Sequence, residues 1–142
     1  MALRFFLILA LTFLLSCSKK EELVYEPSSK VDPYVLYKEG LEAFEKFDYF
    51  FANKKFSEAE LNFEKVELAA KSAIMSCYSL YGINFYQEAI ENLNRYLKTY
   101  PSDKYVMYAH YLLAIIYFEQ ISDEKKDLEP LLQANKQIDY FV

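Results

Sequence analysis

Cys17, Cys77 and His110 are the only thiols and the only imidazole in this 142-residue chain. A zinc centre needs several such ligands at short, repeated spacings, and none of the three stands near another. There is no G-x-S-x-G, no H-E-x-x-H and no phosphate-cradling glycine loop. Gly40 and Gly82 are the only glycines. The 21 acidic residues are scattered over the chain. That pattern reads as a solvated surface, with a carboxylate pair meeting across helices as the one remaining route to catalysis. A net charge of −5 with no basic patch argues against nucleic acid as a partner. The expectation is a protein that binds rather than an enzyme, with no metal and no cofactor. Cys77, flanked by Met75, Tyr78 and Leu80, reads as a small buried apolar residue. His110 reads as packed.

Cys17 carries chemistry of another kind. Arg4 gives a positive start, residues 5–15 are apolar except for Thr12, and Ser16-Cys17 precedes the polar run SKKEE at 18–22. This is the layout of a secretory signal, and the apolar run falls short of the ~20 residues that span a membrane. Leu14-Leu15-Ser16-Cys17 resembles the bacterial lipobox, whose cysteine is diacylated and becomes the mature N-terminus. Stable anchoring takes more than one acyl chain, at about 0.8 kcal/mol per buried CH₂, and a multiply acylated Cys17 supplies it. The expectation is therefore a signal peptide over 1–16, a lipidated Cys17 with a polar tether over 17–32, and a folded domain over 33–142. With Cys17 engaged, Cys77 has no disulfide partner.

The domain reads as helix after helix. Asp32-Pro33 predicts an N-cap followed by proline at the first helical position. Tyr100-Pro101-Ser102-Asp103 predicts a stop and a restart. SDEKKD at 122–127 predicts a charged loop, and Glu129-Pro130 the opening of another helix. An internal repeat sets the fold class. Gly40, Cys77 and Ala114 follow one another at intervals of 37, and Ala52 and Ala89 each lie 12 residues after their partner. Ala134 follows Ala114 by 20, with the charged loop absorbing the difference. Small residues in register are what two closely crossing helices require, and the pattern is that of a degenerate tetratricopeptide repeat. The predicted architecture is all-α, a helical-hairpin solenoid of about three repeats, at 33–69, 70–103 and 104–142, the last incomplete.

In such a stack the first helix of each pair lines a concave face. The residues one position after each small site, and those three to four away along the same stripe, are Tyr34, Tyr37, Leu41 and Phe44, then Ile74, Tyr78 and Tyr81, then Tyr108, Tyr111, Ile115 and Phe118. Eight of these eleven are Tyr or Phe. One reading is an aromatic groove for an extended or amphipathic peptide, because tyrosine joins a large apolar body to a polar tip. The other is that the same rings are core, in a chain with 14 Tyr and 12 Phe. Both stay open at this point.

Residues 95–121 (RYLKTYPSDKYVMYAHYLLAIIYFEQI) carry a more specific pattern in Tyr100, Pro101, Tyr108, Ala109, Tyr111, Leu112, Ala114, Tyr117 and Gln120, preceded by Ala89 in YQEAI. With the lipobox and tether, this resembles the BamD family, lipoproteins of the outer-membrane β-barrel assembly machinery. The resemblance implies a non-enzymatic assembly factor on the periplasmic side of the outer membrane. It implies that the N-terminal repeats receive C-terminal targeting segments of unfolded outer-membrane proteins, and that the C-terminal repeats dock on BamA, the barrel-forming subunit. The family has about five repeats, and solenoids close with a polar cap; Ile138, Tyr140, Phe141 and Val142 are too apolar for one. The chain thus reads either as C-terminally truncated or as a form that covers its end with a partner, and in both cases the half that would hold BamA is missing. The alternative function is an adaptor in cell-wall synthesis or division built on the same repeats.

Overall fold

The computed structural model describes residues 31–121 and 128–141. The signal segment 1–16, Cys17, nearly all of the tether and the SDEKKD loop lie outside the described residues. Six helices follow one another: α1 (Pro33–Glu45), α2 (Tyr49–Asn62), α3 (Val66–Gly82), α4 (Tyr86–Thr99), α5 (Val106–Glu119) and α6 (Leu128–Ile138), with a 3-10 turn over Asp139–Phe141. No strand occurs among the described residues. The helices pack in sequence, α1 on α2, α2 on α3, α3 on α4, α4 on α5 and α5 on α6. The architecture is a tetratricopeptide-like helical solenoid.

Local chemistry sets the helix ends. The Asp32 carboxylate accepts from the Tyr34 N–H at 2.9 Å, and Pro33 opens α1. The Asp48 carboxylate likewise accepts from the Phe51 N–H at 3.2 Å at the start of α2. Each cap satisfies an amide that the first turn leaves without an intrahelical partner. Thr99 ends α4 ahead of Pro101, and α3 starts at Val66, earlier than the spacing of small residues suggests.

The repeat is most visible in the turns. Phe47 and Asn84, 37 residues apart, are the two non-glycine residues of positive φ among those described, at 61° and 60°. Around the first, the Phe47 N–H donates to the Phe44 carbonyl (3.0 Å) and the Asp48 N–H to the Ala43 carbonyl (2.9 Å). Around the second, the Asn84 N–H donates to the Tyr81 carbonyl (2.9 Å) and the Phe85 N–H to the Leu80 carbonyl (3.0 Å). This is the Schellman closure of a helix C-terminus. The third pair begins the same way, with the Ile121 N–H on the Phe118 carbonyl at 3.1 Å. Ile121 does not turn left-handed, which for a β-branched residue is costly, and the chain leaves the repeat pattern there.

Small residues decide how closely the layers stack. On α3 the buried positions are mostly Ala69, Ala70, Ser72, Ala73, Ser76, Cys77 and Ser79, so α2 and α4 approach its axis from two sides. Two buried hydroxyls are answered within the helix, Ser72 donating to the Leu68 carbonyl and Ser79 to the Met75 carbonyl, each at 2.9 Å, while the Ser76 hydroxyl accepts from the Asn53 side-chain amide of α2 at 2.8 Å. Gly40 faces the fully buried Phe56, whose ring would lie 2.8 Å from a Cβ added there. One cluster joins Ala43, Ala52 and Phe56, and a larger one runs from Ala70 through Cys77, Leu93 and Tyr96 to Ile116.

Candidate binding face

The first helix of each pair contributes rings to one side of the stack. Phe44 on α1 meets Tyr78 on α3 with ring centroids 5.3 Å apart. Tyr78 meets Tyr108 on α5 edge-on at 6.2 Å, and Tyr108 continues to Tyr111 at 6.2 Å. Tyr81 stacks beside Tyr78 at 6.0 Å. Five of the eight sequence-selected rings therefore form one connected ribbon across three helices. Phe44, Tyr78 and Tyr81 are half-buried and help to close the core, whereas Tyr108 and Tyr111 are exposed. Phe44, Tyr78 and Tyr81 pack against the core clusters, and Tyr108 and Tyr111 carry the row of rings onto the surface.

The other three sit apart from the ribbon. Tyr34 is exposed and packs edge-on against Phe63 at 5.1 Å, beside a cavity of about 260 Å³ between the start of α1 and the α2–α3 turn. Tyr37 leans on Phe56 at 5.3 Å and belongs with the small core cluster. Phe118 is 69% exposed and lines a second hollow of about 330 Å³ with Tyr111, Ile115 and residues of α6.

Between α1, α3 and α5 the ribbon borders a cavity of about 380 Å³ lined by Phe44, Lys71, Ile74, Met75, Tyr78, Tyr105 and Tyr108. Lys71, Met75 and Tyr105 were not selected by the sequence reading. Lys71 stands in the register of Tyr34 and Tyr108, 37 residues from each, and Met75 one turn before Tyr78, but neither is aromatic; Tyr105 precedes α5, where helical stepping from Ala114 ends. Burial pushes the Tyr108 phenol up to about 12, with Tyr78 and Tyr111 adding to the effect.

A carboxylate fixes one end of the ribbon. Glu119 accepts from the Tyr81 hydroxyl at 2.8 Å and from the Tyr86 hydroxyl at 2.7 Å, tying α3, α4 and α5 together. The hydrogen bond to Glu119, with burial second, pushes the Tyr81 phenol up to about 12. The remaining candidate chemistry is structural. Cys77 is fully buried, and desolvation pushes its thiol up to about 12, far from the thiolate a nucleophile needs. His110 is buried, its Nδ1 lies 2.8 Å from the Gln137 side-chain oxygen, and its ring stacks on Tyr140 at 3.7 Å. No group of three or more potential metal ligands occurs among the described residues. No helix among the described residues is long and apolar enough to cross a membrane.

Paired helices stacked in register, with small residues at the crossings and rings along one face, define a tetratricopeptide-like repeat protein. Within that class the YfiO family, described as outer membrane lipoprotein, matches residues 29–142, and the chain belongs to this family. It is 36% identical over 117 residues to the outer membrane protein assembly factor BamD of Caulobacter vibrioides, covering 82% of this chain and 37% of that protein. It is 32% identical over 92 residues to the protein of the same name from Rickettsia prowazekii, covering 65% of this chain and 37% of that protein. The chain thus spans little more than a third of the length of the curated relatives it matches. No solved structure matches it.

Proposed function

We propose that this chain is part of an outer membrane protein assembly factor, and that its aromatic ribbon receives extended segments of unfolded outer-membrane proteins. Membership of the YfiO family and the names of the two relatives support the assembly role. The ribbon is the observation that carries the receiving role. A β-strand presents a side chain to the same face about every 6.7 Å. The ring-to-ring steps along Phe44, Tyr78, Tyr108 and Tyr111 are 5.3, 6.2 and 6.2 Å. An extended segment with large apolar residues at alternate positions can therefore place successive side chains against successive rings. The exposed tyrosine hydroxyls can meanwhile donate to its carbonyls. In this reading acylated Cys17 holds the domain to the outer membrane, facing the periplasm, within reach of a BamA-type assembly complex.

The experiment is site-specific crosslinking from a photoreactive residue at Tyr111 to a peptide copying the last strand of an outer-membrane barrel. The expected result is a crosslink that the unlabelled peptide competes away and a scrambled one does not. A folded chain that gives no crosslink, or one that the scrambled peptide removes equally well, overturns the receiving role.

A further inference from the structure

Three phenylalanine rings stand in solvent at one edge of the stack, Phe47 (77% exposed) and Phe50 (68%) at the α1–α2 turn and Phe85 (45%) at the α3–α4 turn. The two turns lie side by side: the Tyr49 ring meets Phe47 at 6.1 Å and would lie 2.7 Å from a Cβ added at Gly82, the end of α3. Residues 46–50 carry one charge of each sign, Lys46 and Asp48, and residues 83–87 (INFYQ) carry none. The opposite edge is the reverse. Its turns hold Glu64, Lys65, Asp103 and Lys104, and their rings face inward, Phe63 onto Tyr34 and Tyr100 with its hydroxyl on Glu60. SDEKKD follows α5, so the apolar edge belongs to the first two pairs.

Phe47 carries the argument furthest. Its backbone is left-handed, and the equivalent residue of the next pair is Asn84, a type that adopts this conformation far more readily. The helix closure uses only the backbone of that position. A strained position that nevertheless keeps a ring in water points to a contact outside the chain. The polar side chains of the edge are turned to the chain itself, Asp48 capping α2 and Asn84 accepting from the Tyr86 hydroxyl at 3.0 Å. The rings therefore lack the polar rim of a protein interface. Aromatic side chains with little charge among them suit the membrane–water boundary instead.

We infer that this edge rests on a lipid surface, with Phe47, Phe50 and Phe85 set into the headgroup region of the leaflet that holds the acyl anchor. The inference rests on the proposed acylation of Cys17 and adds a second, non-covalent contact to it. The 15 residues at 18–32 extend to at most about 50 Å. The 13 residues of α1 carry the chain only about 20 Å from its first turn to this edge, so anchor and edge can meet one leaflet together. Phe50 then stands at the foot of α2, and Leu61, 11 residues on, lies up to about 17 Å above it.

The chain contains no tryptophan, so Phe47→Trp, Phe50→Trp and, at the opposite edge, Leu61→Trp each place a single reporter at an exposed residue. Each chain is produced with its signal segment, purified and reconstituted in phosphatidylethanolamine–phosphatidylglycerol vesicles with and without brominated acyl chains. Flotation reports anchoring, and bromine quenching of fluorescence reports depth. The expected result is that all three float and that quenching at positions 47 and 50 is at least about threefold stronger than at 61. Flotation with equal quenching at the three positions, or with none, overturns the inference and leaves the anchor standing. So does emission that shifts to the blue at 47 and 50 without quenching, which marks a protein contact with a second copy. A chain that does not float overturns the anchor, and the inference with it.

Discussion

Glu60 on α2 and Arg95 on α4 form a two-point ion pair, with the guanidinium nitrogens donating to the two carboxylate oxygens at 2.6 and 2.8 Å. The pair bridges the second helices of neighbouring repeats. Glu60 is buried, Arg95 is about half exposed, and the Tyr100 hydroxyl donates to the same carboxylate at 3.0 Å. The hydrogen bond to Glu60 holds the guanidinium above its ordinary value, burial opposing it.

Replacing Arg95 by methionine leaves a buried carboxylate with Tyr100 as its one remaining partner. The expected loss is roughly 1–3 kcal/mol, toward the lower end because the arginine itself reaches solvent. Urea unfolding checks it. A cycle with Glu60→Gln should be strongly non-additive, and additive losses would mean the two residues act independently.

Gly40→Ala should destabilise the chain although alanine is the better helix former. The added carbon would meet a ring with nowhere to go, since Phe56 is completely buried. An overpacking cost of about 1–3 kcal/mol exceeds the ~1 kcal/mol gained in helix propensity. A midpoint equal to or above that of the unmodified chain would show that Phe56 can yield.

Phe47→Gly should do the opposite. Phe47 holds a left-handed conformation with its ring 77% exposed. Glycine adopts that conformation without the Cβ clash, so a gain of about 0.5–1 kcal/mol is expected. A lower urea midpoint would mean that the edge-on contact of Phe47 with Tyr49 outweighs the strain.

Alkaline pH should loosen the stack. Tyr81, Tyr100 and Tyr108 are each pushed up to about 12, from an ordinary value near 10. A phenol whose folded value is raised contributes stability that is complete below about pH 10 and is lost as pH rises through about 12. Tyrosinate absorbance and urea midpoints across that window should change together. Glu119→Gln should bring the Tyr81 transition down toward 10 and leave Tyr108 in place. An unchanged Tyr81 transition would mean that burial, not Glu119, sets it.

Tyr111→Ala should weaken peptide binding about tenfold with little effect on the thermal midpoint, because half of the side chain is already in solvent. Tyr78→Ala should cost both affinity and stability, since its ring joins Phe44, Tyr81 and Tyr108. Isothermal calorimetry beside a melting curve separates the two effects.

What the sequence makes legible is whatever repeats or caps locally. Asp32-Pro33 and Tyr100-Pro101 mark helix ends by their own chemistry, and Gly40, Cys77 and Ala114 mark crossings by their size. Periodicity also finds the inner face of each first helix. It does not find how far one helix slides along the next, and this decides that Tyr78 meets Phe44 and Tyr108 while Tyr34 falls to Phe63 instead. Glu60 and Arg95 were hidden as a pair for the same reason. Their significance lies in what stands opposite, on another helix, and no spacing within one helix encodes it.

An array of like hairpins runs a particular risk during folding: a second helix docking on the wrong first helix, one repeat out of step. The crossings are cut differently in this chain. Gly40 leaves a notch that the ring of Phe56 fills, whereas 37 residues on the equivalent positions are held by Cys77 and the slimmer Leu93, both fully buried in the larger core cluster. Exchanging partners would set Leu93 against Gly40 and leave a void, and would drive Phe56 against a thiol where there is no room. Matched bulk at successive crossings thus works as an address, telling each helix which neighbour is its own while the turns between them stay interchangeable.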